Sequence, residues 1–317
     1  MAVSVAEYLG IDVENGGQIF PAIGGKNTKA PCPFRQGECD KLSKGNKPVC
    51  SVRDSSGTIW IVCQHRLCAT APKDSPLTDY QMDVLLAIGK TIWVDDAQKE
   101  DIAFKREAPV RTKGRSDSRA DYVMVPTPHL LARNKNDSIG PVVLEMQGGG
   151  ETSNTGALTR MVEKWENEHN CHLNLATLIA KDPTVGTIEA NAWRRQQEQF
   201  LYKGNVAVNS FGRLVFAVGS KLYDYLMKNL AATSMQDLRN ANWTLALLGV
   251  SEDRSKAPGS FGTGKSVHLK IDESRLLFTS YQKFVQALTN QGGSDPQLFN
   301  GDFTLLDGTS ITISTRG

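Results

Sequence analysis

The chain has 317 residues, of which 40% are hydrophobic and 22% charged, and its formal net charge is +2. This composition is typical of a globular protein with roughly two domains, and the near-neutral charge excludes a polybasic tail. The opening residues carry Glu7 early and no basic region, so we predict no signal peptide. Apolar runs such as TLALLGV are too short to span a membrane, and we expect a cytoplasmic protein.

The predicted elements begin with a glycine-rich arm or loop at 1–30, followed by a loop-rich segment that is interrupted by a strand at 58–63. Further along the chain, apolar periodicity and the candidate cap Thr78 predict the following elements: a helix at 77–92, strands at 121–125 and 141–147, helices at 154–169 and 187–203, two strands and a helix within 204–230, strands at 242–250 and 266–271, and a helix at 280–288. The predicted fold class is α/β, an α+β mixed sheet flanked by helices. We predict two domains, at 1–75 and 76–317.

The cysteines are concentrated near the amino terminus. Five of the six lie between Cys32 and Cys68, and clustered thiols in a reducing compartment favour metal or redox chemistry over disulfides. Four thiolates suit tetrahedral zinc or iron, although this spacing is not the regular CxxC pair and leaves the ligand set open. The alternative is a set of buried free thiols. Cys171 is predicted to be a plain core residue.

The stretch PVVLEMQGGG (141–150) ends an apolar strand in polar side chains. Side chains alternate along a strand, so Val143, Glu145 and Gln147 share one face. The simplest interpretation is that both polar side chains meet water where the strand leaves the sheet. If the strand that opens at Asp121 lies next to this one, Asp121 and Glu145 can instead converge and hold Mg²⁺, which polarises a phosphodiester.

The remaining groups of this candidate site are weaker signals. Glu107 lies fourteen residues before Asp121. The third group in such nuclease sites is often lysine, whereas Gln147 can only orient a water molecule by hydrogen bonding. A basic cluster lies beside the site and either contacts phosphate or forms a solvated loop; its members are Arg111, Lys113, Arg115 and Arg119.

The segment GSFGTGKS (259–266) matches the phosphate-binding pattern GxxxxGK[ST]. That loop requires a strand immediately before it and a helix immediately after it. Here a polar stretch with a proline precedes the pattern, and the residues that follow alternate like a strand. We therefore expect a surface loop or a loop near DNA phosphate, and not an ATPase.

Several motifs in one order resemble the NotI/EagI family of type II restriction endonucleases. The motifs are CPF followed by Cys39, then VCSV (49–52), IVCQHRL (61–67), SRADYVMV (118–125), LEMQ (144–147) and, more loosely, 191–218. The resemblance covers roughly residues 30–230 and depends on their joint order. Residues 231–317 align with nothing, and HLLARNKND (129–137) is an insert that forms either a hairpin loop or a DNA contact.

The resemblance implies a PD-(D/E)xK nuclease core with a small cysteine-rich metal module. The residues that match catalytic positions are Asp121, Glu145, Gln147 and Glu107, with Mg²⁺ on Asp121 and Glu145. The residues that match structural iron or zinc ligands are Cys32, Cys39, Cys50 and Cys63, which makes Cys68 supernumerary. The implied partners are double-stranded DNA with a GC-rich palindromic site, a second copy of the chain, and a companion DNA methyltransferase.

Arginine pairs best with guanine in the major groove. The candidates for DNA contact are Arg111, Lys113, Arg115, Arg119, Arg194 and Arg195. If the resemblance holds, Glu145 binds metal, Gln147 orients water, and the three glycines let the chain turn away beside the DNA backbone. The alternative hypothesis is a non-catalytic DNA-binding or regulatory protein with a metal knuckle, in which Glu145 and Gln147 are ordinary strand-end residues.

Overall fold

The computed structural model describes the chain over 2–15, 29–68, 75–111, 118–134, 139–150, 152–168, 174–230, 235–256, 260–289, 300–306 and 308–314. Across these segments, no helix combines the length and the apolar character that crossing a membrane requires. The predicted core position Cys171 and the candidate DNA contacts Lys113 and Arg115 lie outside the described residues.

Strands and helices alternate through most of the chain. The strands are β1 (Val3–Tyr8), β2 (Ile11–Asp12), β3 (Val49–Asp54), β4 (Ile59–Ile61), β5 (Ile102–Val110), β6 (Ser118–Pro126), β7 (Val142–Gln147), β8 (Arg213–Gly219), β9 (Leu245–Glu252), β10 (Leu269–Thr279), β11 (Gly301–Thr304) and β12 (Ser310–Ile313). The helices are α1 (Asp40–Ser43), α2 (Asp79–Ile92), α3 (Pro128–Arg133), α4 (Thr155–Asn167), α5 (Ala176–Ile179), α6 (Glu189–Asn209), α7 (Ser220–Asn229) and α8 (Tyr281–Thr289). Short 3-10 helices occupy Gln64–Leu67 and Lys99–Asp101.

A six-stranded mixed sheet forms the centre of the fold, in the order β10-β9-β8-β7-β6-β5. Strands β5, β6 and β7 pair antiparallel, β7, β8 and β9 pair parallel, and β10 returns antiparallel on β9. The parallel strands are joined through α6 and α7, as parallel pairing requires a crossover. The predicted mixed sheet flanked by helices is therefore confirmed as an architecture.

Each face of this sheet packs against its own hydrophobic cluster. One cluster contains residues from α4, α6, α7 and α8, and the other contains residues from α2 and the cysteine segment. Along β7, Val142, Leu144 and Met146 lie in the second cluster, whereas Glu145 faces α6. The predicted alternation of β7 is confirmed, and it directs the polar side chains of the strand toward helix α6.

The amino-terminal residues form a second sheet, in the order β2-β1-β3-β4. An arm or loop was the wrong prediction for residues 2–15, because every residue of β1 is buried. The stretch VSVAEY is apolar apart from Ser4 and Glu7, and Glu7 forms an ion pair with buried Arg66. Both sides of β1 are covered, so the strand lacks the polar alternation by which half-buried strands are recognised.

Helix α2 begins as predicted. Thr78 accepts a hydrogen bond from the backbone N–H of Gln81, and the Gln81 side chain accepts one from the N–H of Thr78, which completes a capping box. The prediction for 204–230 was wrong in detail. Residues 204–209 continue α6, so 204–230 holds one strand and not two. Val206 and Val208 alternate as in a strand. The buried residues Lys203, Gly204 and Ala207, however, follow the helical spacing.

The GSFGTGKS segment joins β9 to β10 in the residues that are described, and it does not open a helix. The backbone carbonyl of Lys265 accepts a hydrogen bond from the N–H of Asp12, and the N–H of Val267 donates to Glu7. These bonds attach the segment to the amino-terminal sheet. The expected strand at 266–271 begins later, at Leu269, and extends to Thr279.

Candidate active site

Three carboxylates lie in one row across three adjacent strands. In the register of β5 on β6, Arg106 pairs with Tyr122 and Ala108 with Ala120, which places Glu107 opposite Asp121. In the register of β6 on β7, Tyr122 pairs with Leu144, which places Asp121 opposite Glu145. The expected convergence of Asp121 and Glu145 is therefore observed, because β6 and β7 are direct neighbours.

The strand pairing is interrupted at this row, and the side chains use the backbone groups that are released. The N–H of Met146 donates to Asp121 Oδ2 over 2.8 Å, and the N–H of Asp121 donates to Glu145 Oε1 over 3.3 Å. Glu107 has a φ of +46°, in the left-handed region that is costly for a residue with a side chain. Strain of this kind concentrates at functional sites, where the surrounding structure holds it in place.

The protein environment disfavours ionisation of both inner carboxyls. Burial raises the pKa of Glu145 to about 8, and the neighbouring charge of Asp121 acts in the same direction. Burial also raises the pKa of Asp121, while its hydrogen bond from Met146 and the charge of Lys203 oppose the shift. Two like charges close together in a poorly solvated place are the environment that a divalent cation would relieve.

Lys203, which was not among the residues predicted from the sequence, reaches this pair from α6. Its Nζ lies 2.7 Å from Glu145 Oε2 and 2.8 Å from Gln199 Oε1, and the residue is only 1% exposed. Buried lysines are rare unless they are paired. The signal available in the sequence was a lysine inside a helix that is otherwise apolar on its inner face, and nothing in it indicated Glu145 as the partner.

Gln147 is oriented by the same helix. Gln196 donates a hydrogen bond from Nε2 to Gln147 Oε1 over 2.8 Å, so the amide group of Gln147 is held in one orientation. The guanidinium group of Arg195 lies close to Gly150: a Cβ built on that glycine would come 3.0 Å from Arg195 Nη2. Of the candidate DNA contacts, Arg195 is thus placed beside the strand that carries Glu145.

The other described candidates for DNA contact are exposed. Arg119 lies two residues before Asp121 on β6, so the two residues share a face of the strand. Arg111 follows the end of β5 at the same end of the β5–β6 pair. Arg194 is exposed on α6, next to Arg195 in the chain. Arg119, Arg111 and Arg195 are therefore placed at the end of the sheet that holds the carboxylate row.

Four of the cysteines influence one another electrostatically. Burial raises the pKa of the Cys32, Cys50 and Cys63 thiols, and mutual repulsion adds to it between Cys32 and Cys63, Cys32 and Cys39, and Cys50 and Cys63. The backbone N–H groups of Phe34 and Arg35 donate hydrogen bonds to Cys32, and those of His65 and Arg66 donate to Cys63. Hydrogen bonds from backbone N–H groups stabilise the thiolate form of a cysteine. Nevertheless, among the described residues no three His, Cys, Asp or Glu side chains are gathered closely enough to hold a metal ion.

Cys68 lies apart from these four thiols. Its Sγ contacts the carbonyl oxygen of Gln81 at 3.6 Å and the hydroxyl of Tyr122 at 3.7 Å, and burial raises its pKa to about 12. His65, a histidine of the same segment, forms a 2.7 Å contact with Asp40. The supernumerary role of Cys68 stays a prediction.

The glycines after β7 accommodate the strand that precedes Cys63. A Cβ on Gly148 would come within 2.6 Å of Ile61, and a Cβ on Gly149 would come within 2.5 Å of the Trp60 ring. The N–H of Gly150 donates to the carbonyl of Ile61 over 2.9 Å. Close packing of β4 against the end of β7 therefore accounts for Gly148 and Gly149. The role predicted for the three glycines was a turn beside the DNA backbone.

The described part of the insert, residues 129–134, lies in the connection between the antiparallel neighbours β6 and β7, and the DNA contact stays a prediction. Its helix α3 is attached to the buried carboxylate of Asp101, which contacts His129 Nδ1 at 2.9 Å and forms an ion pair with Arg133.

Comparison with known proteins does not assign the chain to a family. No model of a known protein family matches the chain, and no curated protein matches it with significance.

Proposed function

We propose that the chain is a type II restriction endonuclease, which hydrolyses phosphodiester bonds of double-stranded DNA at a GC-rich palindromic site and depends on Mg²⁺. The observation that supports this most directly is the row of Glu107, Asp121 and Glu145 across three neighbouring strands. A purely structural role does not require two inner carboxyls with raised pKa values at an interruption of the strand pairing.

The chemistry of the donors fits the metal. Carboxylate oxygens are the ligands that Mg²⁺ prefers, and Asp121 and Glu145 would hold it, with Glu107 as the adjacent carboxylate. When bound, the ion would supply positive charge to the phosphate and activate a water molecule. Gln147, held by Gln196, would orient that water by hydrogen bonding.

The proposal extends to the nuclease core, the cysteine segment and the partners. In this proposal Cys32, Cys39, Cys50 and Cys63 hold a structural iron or zinc ion, a role that their mutual repulsion and the N–H donors at Cys32 and Cys63 support. Exposed arginines beside the carboxylate row would contact DNA. A palindromic site would require a homodimer, and such an enzyme would be accompanied by a methyltransferase that protects host DNA.

The test is cleavage of unmethylated GC-rich DNA of known sequence by the purified protein, with Mg²⁺ or with EDTA. The matched variants are Glu145→Gln, which removes the charge at nearly constant volume, and Glu198→Gln, which removes an exposed carboxylate on α6. We expect discrete fragments with Mg²⁺ for the wild type and Glu198→Gln. For Glu145→Gln we expect a loss of about 100- to 1000-fold, as is typical when one transition-state contact is removed.

Fragment ends would reveal the recognition site, and light scattering on the same samples would report the homodimer. The proposal fails if DNA that contains all GC-rich hexamers and octamers stays intact while it is bound. That result would favour the non-catalytic DNA-binding or regulatory protein with a metal knuckle.

A further inference from the structure

A positive charge reaches the carboxylate row from an unexpected element. In the (D/E)xK pattern the lysine lies on the strand, two residues after the carboxylate, but this chain has Gln147 there. The buried lysine of the site is Lys203 on α6, whose Nζ lies 2.7 Å from Glu145 Oε2. The charge of Lys203 also opposes the rise that burial causes in the pKa of Asp121, so its ammonium group acts on both inner carboxyls.

We propose that Lys203 is the catalytic lysine of this site, supplied by helix α6 in place of the strand position that Gln147 occupies. This inference rests on the proposed nuclease function and names a residue that the function requires. The ammonium group would donate a hydrogen bond to the phosphate oxygen or to the attacking water.

The surroundings of Lys203 suit such a role. An ammonium group has three N–H donors, and the described residues provide acceptors for two of them, Glu145 Oε2 and Gln199 Oε1. Gln196, Gln199 and Lys203 follow the i, i+3, i+7 spacing of one helix face, and Gln196 holds Gln147. One polar stripe of α6 therefore contacts both Glu145 and Gln147. Gln199 is a positioning residue that holds Nζ.

The charges are also consistent with phosphate chemistry. With the three carboxylates of the row ionised, their charges and that of Lys203 sum to −2, and a divalent cation would bring the local charge to zero, which removes the repulsion of a phosphodiester. Hydrolysis adds the water oxygen to phosphorus and breaks the bond to the leaving sugar oxygen. One water proton ends on that oxygen and the remaining OH stays on the phosphate. Lys203 keeps its proton throughout and offsets the charge that develops on the phosphate oxygens.

The experiment compares Lys203→Met with Lys47→Met, which removes a lysine that pairs with Glu166 outside the site. For each variant, DNA dissociation constants are measured with Ca²⁺, and single-turnover cleavage rates are measured with Mg²⁺ across pH. We expect Lys203→Met to lower the cleavage rate about 100- to 1000-fold with DNA affinity within about threefold of the wild type. We expect Lys47→Met to match the wild type. Gln147→Lys added to Lys203→Met should recover at least tenfold.

A Lys203→Met protein that cleaves within threefold of the wild-type rate overturns the inference, as does a loss that is matched by equal loss of DNA binding. If Lys203→Met does not fold, Lys203→Gln decides by the same criteria, because its amide keeps a hydrogen bond to Glu145 without the charge. The two proposals fail differently. A wild-type protein that never cleaves removes the nuclease function, whereas cleavage that needs Glu145 but not Lys203 removes only the catalytic lysine.

Discussion

Among the residues that the structure describes, two carboxylate–cation pairs have both members buried, and they differ in how completely their hydrogen bonds are satisfied. In the amino-terminal sheet, Glu7 receives hydrogen bonds from Arg66 Nε at 2.8 Å, from Ser51 Oγ at 2.5 Å and from the N–H of Val267 at 2.9 Å. Arg66 in turn donates to the hydroxyl of Tyr80 and to the carbonyl of Val267. The two side chains are fully buried, and no second carboxylate shares the cation among the contacts described.

The pair of Glu145 and Lys203 is also buried, but a second carboxylate lies beside it. Asp121 raises the pKa of Glu145 in addition to the effect of burial, so the pair carries an excess of negative charge when both carboxyls are ionised. A buried pair with saturated hydrogen bonds holds elements together. A buried pair with a competing charge is poised to bind a cation or to exchange a proton. Glu7 and Arg66 thus form a structural ion pair, whereas Glu145 and Lys203 form a candidate catalytic one.

The largest expected effect is a loss of stability when Arg66 is removed from its ion pair with Glu7. Arg66→Met leaves the buried Glu7 without a counter-charge, and we expect a loss of about 3–5 kcal/mol in the free energy of unfolding. Lys203→Met should cost less than about 2 kcal/mol at pH 7, because Glu145 has a pKa of about 8 and can stay protonated.

Urea unfolding at pH 7 measures both variants, and Arg254→Met controls for removal of an arginine that is 67% exposed. Equal losses for Arg66→Met and Lys203→Met would show that the competing carboxylate does not distinguish the two pairs.

The next largest effect concerns the contact between the strand before Cys63 and the end of β7. Gly149→Ala places a methyl group 2.5 Å from the Trp60 ring, so we expect a loss of about 2–3 kcal/mol in stability and slower cleavage. Gly156→Ala is the control, since its Cβ would meet nothing closer than Arg160 Nη1 at 3.5 Å. Thermal unfolding and cleavage assays report both. Wild-type behaviour of Gly149→Ala would mean that the two strands can separate freely.

The affinity for Mg²⁺ should increase with pH, because the pKa of Glu145 in its pair with Lys203 is raised. The pKa of Glu145 is raised to about 8, and a metal ligand must be deprotonated, so Mg²⁺ has to displace a proton below that pH. We expect the dissociation constant for Mg²⁺ to fall by up to about tenfold per pH unit between pH 6 and pH 8 and to level off above. Calorimetry in two buffers of different ionisation enthalpy counts the released protons. An affinity that is constant from pH 6 to pH 9 would contradict the proposed ligand.

The smallest expected effect is a gain in stability. The folded pKa of Glu145, about 8, lies above the ordinary 4.5, so folding takes up a proton between these values and stability declines as pH rises through that window. Asp121→Asn removes the like charge and should raise the free energy of unfolding by about 1 kcal/mol at pH 9, with little change at pH 5. The same variant should not cleave DNA. A loss of stability at pH 9 would show that the two carboxyls do not repel each other in the folded protein.

The inner carboxylates could be predicted from the sequence because strand alternation is a local property. LEMQ predicts which side chains share a face, and the structure confirms that Val142, Leu144 and Met146 pack on one side of β7 with Glu145 on the other. The capping box at Thr78 was equally local. Strand β1 was missed because it is covered on both sides, and the helical residues 204–209 were missed because two valines imitate strand alternation.

The sequence by itself determined the faces of the strands, the cap of α2 and the residues that are able to carry the proposed chemistry, since these depend on neighbours within a few positions. Only the tertiary structure decided that β5, β6 and β7 align Glu107, Asp121 and Glu145 in one row. It also decided that Lys203 approaches Glu145 across 58 positions of the chain. Contacts between distant segments depend on how helix α6 packs on the sheet, and no local pattern of residues encodes that arrangement.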